Sequence, residues 1–481
     1  MTISPAAPAT TDGPERISDV PHPPLPGPAG SGFRTALGTA LGAGLRSWPW
    51  RRRVWVLYAV FALYAGGVAV FSGPGDDRSW GIWAAFGYAA AAALAALWPG
   101  RGGLRSALAA SLAGALIDPV VWLASQAPPT PDVRVVTRSA SLLLHHGTPY
   151  LDPAQLAHGT VLSYNPYLPV MTLFGLPRAL GLTGLAGDTR PWLVLATFLL
   201  LAAAFRIAIP AARTPGVAPG LAAFATASPV LAFPLAQGIT DPPIIALTIL
   251  ALALLTRPGA RIWPAAVVAG VACDMKYTAW PALLVLAAML AARDGSRAAA
   301  RFAGVACATT AALTVALAPA ALAAPAGMID STVLFPVGLT AARTPAQSPL
   351  PGHALATLGP AGHQAAVALL ILAGLAVAIS LLIRPPADTR AAAFRIAVGL
   401  ALLFALSPAT RFGYFAYPAG LLAWVALSRG DVPHDGLPSW PWPRVRSGTV
   451  LTSLSFMRML TGRGRGGWPA LASAPRSSAC D

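Results

Sequence analysis

Apolar blocks of roughly 17–24 residues recur from Val54 to Leu427, and each is long enough to cross a bilayer core as a helix. They do not alternate with the period of two that a transmembrane barrel requires. Their repetition excludes a lone signal peptide or single anchor. Composition agrees, because 56% of the 481 residues are hydrophobic and 10% charged, against about 25% charged in a soluble domain. The chain is therefore read as an all-α polytopic membrane protein.

A net charge of +16 raises the question of nucleic acid. The arginines, however, sit in short links between apolar blocks and in the two tails, where the positive-inside rule puts them. No nucleic-acid partner is expected, and the lipid bilayer is. Cys273 and Cys307 lie inside apolar blocks and Cys480 in the tail, without metal-type spacing, so neither a disulfide framework nor a metal site is expected. Alanine and arginine are abundant while Lys276 is the only lysine. Such codon bias suggests a GC-rich, actinobacterium-like source.

Residues 1–45 and 429–481 are rich in Pro, Gly, Ser, Ala, Thr or Arg, and they read as disordered cytoplasmic tails around a membrane domain over 46–428. Arg51, Arg52 and Arg53 fix the N-terminus inside. Spans are expected at 54–71, 82–98, 105–125, 191–208, 216–236, 240–256, 262–275, 276–293, 301–323, 364–384, 391–408 and 412–428, with both termini cytoplasmic. The segment from Val161 to Leu182 is apolar but is interrupted by Pro166, Pro169 and Pro177. Arg206 with Arg213, Arg257 with Arg261, Arg293 with Arg297 and Arg301, and Arg384 with Arg390 all face inward only if it does not cross. It is read as an interfacial or re-entrant helix within a long outer loop, 126–190. A second outer loop covers 324–363, and a broken-helix hairpin is expected over 262–293.

Ionisable groups in or beside membrane spans are costly and are functional candidates. Asp132 follows Pro128, Pro129 and Pro131, which set it where a span meets the outer loop. It either deprotonates an acceptor hydroxyl or solvates a loop. Asp118, before Pro119, reads as a helix-kink carboxylate. A lysine in a chain that otherwise uses arginine suggests that Lys276 supplies a compact ammonium to an anion, the alternative being a structural pair with Asp274. Arg411 stands at an outer helix end against the positive-inside trend, as a bound anion would explain. His145 and His146 suit phosphate or metal binding, or more simply headgroup solvation, and Tyr150, Tyr164, Tyr167, Tyr414 and Tyr417 lie where aromatic belts form.

Three stretches carry a family resemblance. PDVRVVTRSASLLLHHGTPYLDP followed by LSYNPYLP has an Asp after a span, a Gly-x-x-Tyr and a Tyr-x-Pro segment. AQGITDPPIIALTILALALL and VVAGVACDMKYTAWPALLVL pair a polar turn with a small-residue helix ending in Lys, and SPATRFGYFAYPAGLLAW is a Ser-Pro and aromatic segment. In this order they resemble the GT-C superfamily of polyprenyl-phosphate-sugar-dependent glycosyltransferases, most of all its actinobacterial mannosyltransferase-type branch, over residues 105–428. Two spans precede the one that carries the Asp, and Val133 stands where some relatives have a second acid.

The resemblance implies a GT-C-like bundle of about twelve transmembrane helices, with a long extracytoplasmic first loop carrying interfacial helices, in a bacterial inner membrane. It implies transfer of a sugar, mannose favoured, from a polyprenyl-phosphate donor to a glycolipid or glycan acceptor at the outer face, with inversion and without a cofactor. Asp132 would be the general base. Lys276, Arg411, Arg134 and Arg138 would bind the donor phosphate, and His145, His146, Tyr150, Tyr164, Asn165, Gln237 and Asp241 the substrates. Secondary transport or flipping of a lipid-linked substrate remains open, because a charged, broken hairpin also suits a transporter. A non-catalytic scaffold for envelope synthesis is the third reading.

Overall fold

The computed structural model describes residues 50–428 apart from 99, 341 and 343. The two expected tails lie outside the described residues. Among the described residues there is no strand, only an isolated parallel bridge between Gln347 and Thr410. The described part of the chain is all-helical, as its apolar blocks predict.

The principal helices are α1 (Trp50–Phe71), α2 (Asp76–Leu97), α3 (Gly100–Gln126), α4 (Pro131–His146), α5 (Thr189–Ala208), α6 (Val217–Thr226) and α7 (Pro229–Gln237). They continue with α8 (Asp241–Leu254), α9 (Ile262–Cys273), α10 (Trp280–Asp294), α11 (Ser296–Leu317), α12 (Pro360–Ile383), α13 (Thr389–Leu406) and α14 (Ala416–Leu427). Every apolar block expected to span contains helix, but among the described residues seven helices are long and apolar enough to cross, or eight if α6 and α7, bent by 67°, form one broken span. Helix α8 has 14 residues, α9 has 12 and α10 has 15. At 1.5 Å per residue none of these reaches the roughly 30 Å of a bilayer core. Twelve full-length crossings are therefore not what the helix lengths give, because glycine, proline and polar residues cut the apolar runs at Ser228, Gly238–Thr240 and Asp274–Lys276.

Two further expectations shift. Helix α2 starts at Asp76 rather than near residue 82, with Asp76 and Asp77 in its first turn, where carboxylates face the positive end of the helix dipole. The segment from Val161 is not one helix. Its prolines break it into 3-10 turns at Val161–Ser163 and Pro169–Gly175 and a short helix at Leu176–Ala179. Asp118 is exposed on α3, just after a π-turn at Ala113–Ile117, and takes no part in the cluster described below.

The core is built round α8, buried at every position from Asp241 to Ala253, as a helix apolar on all sides must be. It packs against α5, α9 and α14. Helices α1, α2 and α3 form a second antiparallel set beside it. There Gly87 and Gly114 cross so closely that a Cβ on Gly114 would lie 2.5 Å from the Gly87 Cα. Trp80 Nε1 donates to the Ala115 carbonyl of the π-turn at 2.9 Å, and the Tyr88 hydroxyl donates to Ala227 O, at the α6–α7 break, at 2.6 Å. Carbonyls freed where helices break thus find donors, as they must in an apolar medium. Helix α12 buries only Gly362, Ala366 and Leu381 and exposes Leu372, Leu375, Ile379 and Leu382. Such a surface suits lipid contact, and the chain is a multi-pass membrane protein.

Candidate functional site

Three interruptions of the helical scaffold converge: the start of α4, the Gly238–Thr240 turn before α8, and the Asp274–Lys276 turn after α9. Pro131 opens α4, so Asp132 falls in its first turn, where the dipole favours a carboxylate. Thr130 Oγ1 donates to Gln237 O at 2.8 Å, tying that turn to the end of α7. Gly238 then reverses the chain with φ at 75°, a left-handed conformation. A Cβ there would lie 2.4 Å from Val133 Cγ2 and 3.2 Å from Arg190 Cγ. Glycine is what lets α4 lie against this turn.

The proline-broken segment supplies the next partner. Leu168 N–H donates to Met275 O at 3.0 Å and Val170 N–H to Asp274 O at 3.2 Å, so the segment lies along the break after α9. Asn165 Oδ1 accepts the Tyr167 N–H at 3.1 Å, and the Tyr150 hydroxyl donates to Tyr167 O at 2.9 Å. Tyr167 is thereby aimed at Asp132 and donates its hydroxyl to Asp132 Oδ1. Burial, and then the Asp132 charge and this hydrogen bond, push the Tyr167 phenol well above its ordinary value, so it stays protonated.

Asp132 Oδ2 faces Arg411, whose Nη1 lies 3.8 Å away, with the side chains 20% and 35% exposed respectively. The extended run before Arg411 is pinned by the segment from Ala346 to His353. Ser348 N–H donates to Thr410 O and Thr410 N–H to Ala346 O, both at 2.9 Å, and His353 Nδ1 lies 2.8 Å from Pro408 O.

Beside this pair, Asp241 Oδ1 accepts from Lys276 Nζ at 2.6 Å and from the Tyr417 hydroxyl at 2.9 Å. Thr278 Oγ1 contacts the same hydroxyl at 2.7 Å. The ammonium also lies 5.0 Å from the Tyr414 ring centroid and 5.7 Å from that of Tyr167, within cation–π range. The structural partner weighed for Lys276, Asp274, is instead buried against Thr314, whose Oγ1 donates to it at 2.6 Å. Two residues of local spacing did not make a pair, whereas the fold brings in Asp241 from a helix 35 positions away.

Asp132, Lys276, Asp241 and Arg411, all singled out in the sequence, are thus brought together. The other candidates stand apart from them. Arg138 donates to Leu162 O and Ser163 O and so holds a 3-10 turn. Arg134 is exposed and donates to Pro129 O at 2.9 Å. His145 and His146 are exposed at the far end of α4, about 20 Å from Asp132 at 1.5 Å per residue. Tyr150, Tyr164 and Asn165 are buried, with Tyr164 stacked on Phe335 at 4.7 Å. Gln237 is buried, its Nε2 without a partner.

Tyr167, Tyr414 and Tyr417 were legible only as an aromatic belt, yet they surround the charges. Arg190 gave no signal beyond a span boundary. It is fully buried, Nη1 donating to Asp188 Oδ2 at 2.9 Å while Nε and Nη2 have no partner. Among the described residues no three His, Cys, Asp or Glu side chains gather to hold a metal ion.

The arrangement places a partly exposed carboxylate, held on one oxygen by a phenol, beside a partly exposed guanidinium and a neutralised lysine. It suits proton acceptance next to a bound anion. Comparison with protein-family models, with curated proteins and with solved structures yields no match.

Proposed function

We propose that this protein is a GT-C-type glycosyltransferase with about twelve membrane-embedded helices, both termini cytoplasmic, in a bacterial inner membrane. It moves a sugar, mannose favoured, from a polyprenyl-phosphate donor to a glycolipid or glycan acceptor at the outer face. The observation that carries this reading is the Asp132–Arg411 juxtaposition at 3.8 Å, a base and an anion-binding group within reach of one substrate. The acceptor oxygen attacks the anomeric carbon while its proton passes to Asp132. The bond from that carbon to the phosphate oxygen breaks, the electron pair leaves with the phosphate, and configuration inverts. Arg411 stabilises the charge gathering on the phosphate. Lys276 contributes from behind, its charge already balanced by Asp241.

Mass spectrometry of envelope glycolipids from a deletion strain tests the reading. A missing glycoform, restored by the wild-type gene and not by Asp132→Asn, is expected. An unchanged glycolipid profile would end it.

A transporter is favoured by one observation, the buried Lys276–Asp241 pair set between broken helices. Uptake of lipid-linked sugar into proteoliposomes without any new glycosidic bond would select it.

A further inference from the structure

The two oxygens of Asp132 are both engaged. Oδ1 accepts from Tyr167, and Oδ2 faces Arg411. Oδ2 is therefore the atom left to take up a proton, and it is the oxygen that the guanidinium faces. Arg411, for its part, forms no side-chain hydrogen bond among the described residues, and its ionic contact with Asp132 is longer than a hydrogen bond. Its planar fork matches the oxygens of a phosphate better than it meets this carboxylate. Lys276 is held by Asp241 and Arg138 by two carbonyls, so neither is free to take the anion instead.

We infer that Asp132 occupies the anion's place at Arg411 in the resting protein, and that a phosphate group on the first substrate takes Arg411 away from it. Binding of the anion and release of the base are then one event, so the phosphate-bearing substrate binds before the hydroxyl-bearing one. The exchange is easy because a long, partly exposed ion pair contributes little, whereas a charge-assisted bidentate contact to phosphate contributes more. The inference rests on Asp132 as base and Arg411 as anion site.

The test is a double-mutant cycle in affinity, which needs no turnover. The full-length protein in detergent micelles is titrated with a polyprenyl monophosphate, and separately with inorganic phosphate, as wild type, Asp132→Asn, Arg411→Gln and the double variant. Asp132→Asn is expected to bind the polyprenyl phosphate about two- to fivefold more tightly, the worth of the partly exposed pair it removes. Arg411→Gln binds more weakly, and in that background Asp132→Asn brings no gain. The same pattern with inorganic phosphate also supports the exchange and locates it in the headgroup.

If Asp132→Asn leaves affinity unchanged or weakens it, the exchange is wrong. It is equally wrong if the gain persists without Arg411, since that would be a general loss of negative charge. Should Arg411→Gln fail to fold, Arg411→Met, which keeps an apolar stem and removes the charge, serves in its place. Normal sugar transfer by Asp132→Asn would sink the proposed role of the base while leaving this cycle to be judged on its own result.

Discussion

Lys276 Nζ and Asp241 Oδ1 lie 2.6 Å apart across two helix breaks, with the two side chains 14% and 2% exposed. Breaking a buried pair from one side leaves an unpaired charge and costs about 3–5 kcal/mol. Lys276→Met is therefore expected to lower the melting temperature of the purified protein sharply or to abolish its expression. Asp241→Asn joined to Lys276→Met should recover expression, because both charges are gone. Wild-type melting of Lys276→Met alone would show that the pair does not hold the fold.

In the proposed reaction Tyr167, hydrogen-bonded to Asp132, is a positioning residue. Its backbone contacts remain in Tyr167→Phe, so the fold is expected to survive. Hydrogen bonds to charged groups contribute about 1.5–3 kcal/mol, which corresponds to a loss of roughly ten- to a hundredfold in kcat. KM should change little. A raised KM with unchanged kcat would instead make Tyr167 a substrate contact.

Gly238 is the residue on which α4 and the α8 turn close. Gly238→Ala places a methyl carbon 2.4 Å from Val133 Cγ2 in a left-handed backbone. Left-handed strain of about 1–2 kcal/mol adds to overpacking of about 1–3 kcal/mol. Lower thermal stability and slower turnover are expected together, since the first turn carrying Asp132 must shift. An Ala variant with wild-type melting and rate would contradict this role.

How much of this was legible in the sequence follows from the range of each interaction. Helices appeared wherever the apolar runs predicted them, because run length is a local property. Where the runs end is a matter of single residues, so α2 began earlier than expected and the segment after Val161 broke into turns. Asp132, Asp241, Lys276 and Arg411 stood out because charges are rare in an apolar chain. Their pairing did not, since a neighbour in sequence such as Asp274 looks like a partner until the fold supplies Asp241. Tyr167 and Tyr417 were hidden by a second cause, as tyrosines gather at membrane boundaries whether or not they touch a charge.

Topology is open to direct labelling. Thr160 and Ala186 are exposed, in the proposed outer loop on either side of the proline-broken segment. Cysteines placed at both positions should react with an impermeant reagent added to intact cells. Labelling of Ala186→Cys only after lysis would mean that the segment crosses and that the later helices run the opposite way.

The proposed transfer requires Asp132 to receive the acceptor proton. The direct measurement is sugar transfer from a polyprenyl-phosphate donor by the purified protein, comparing wild type with Asp132→Asn under saturating donor. The amide cannot accept the proton, and a rate lower by about a hundredfold or more is predicted. Transfer by Asp132→Asn at close to the wild-type rate would contradict it.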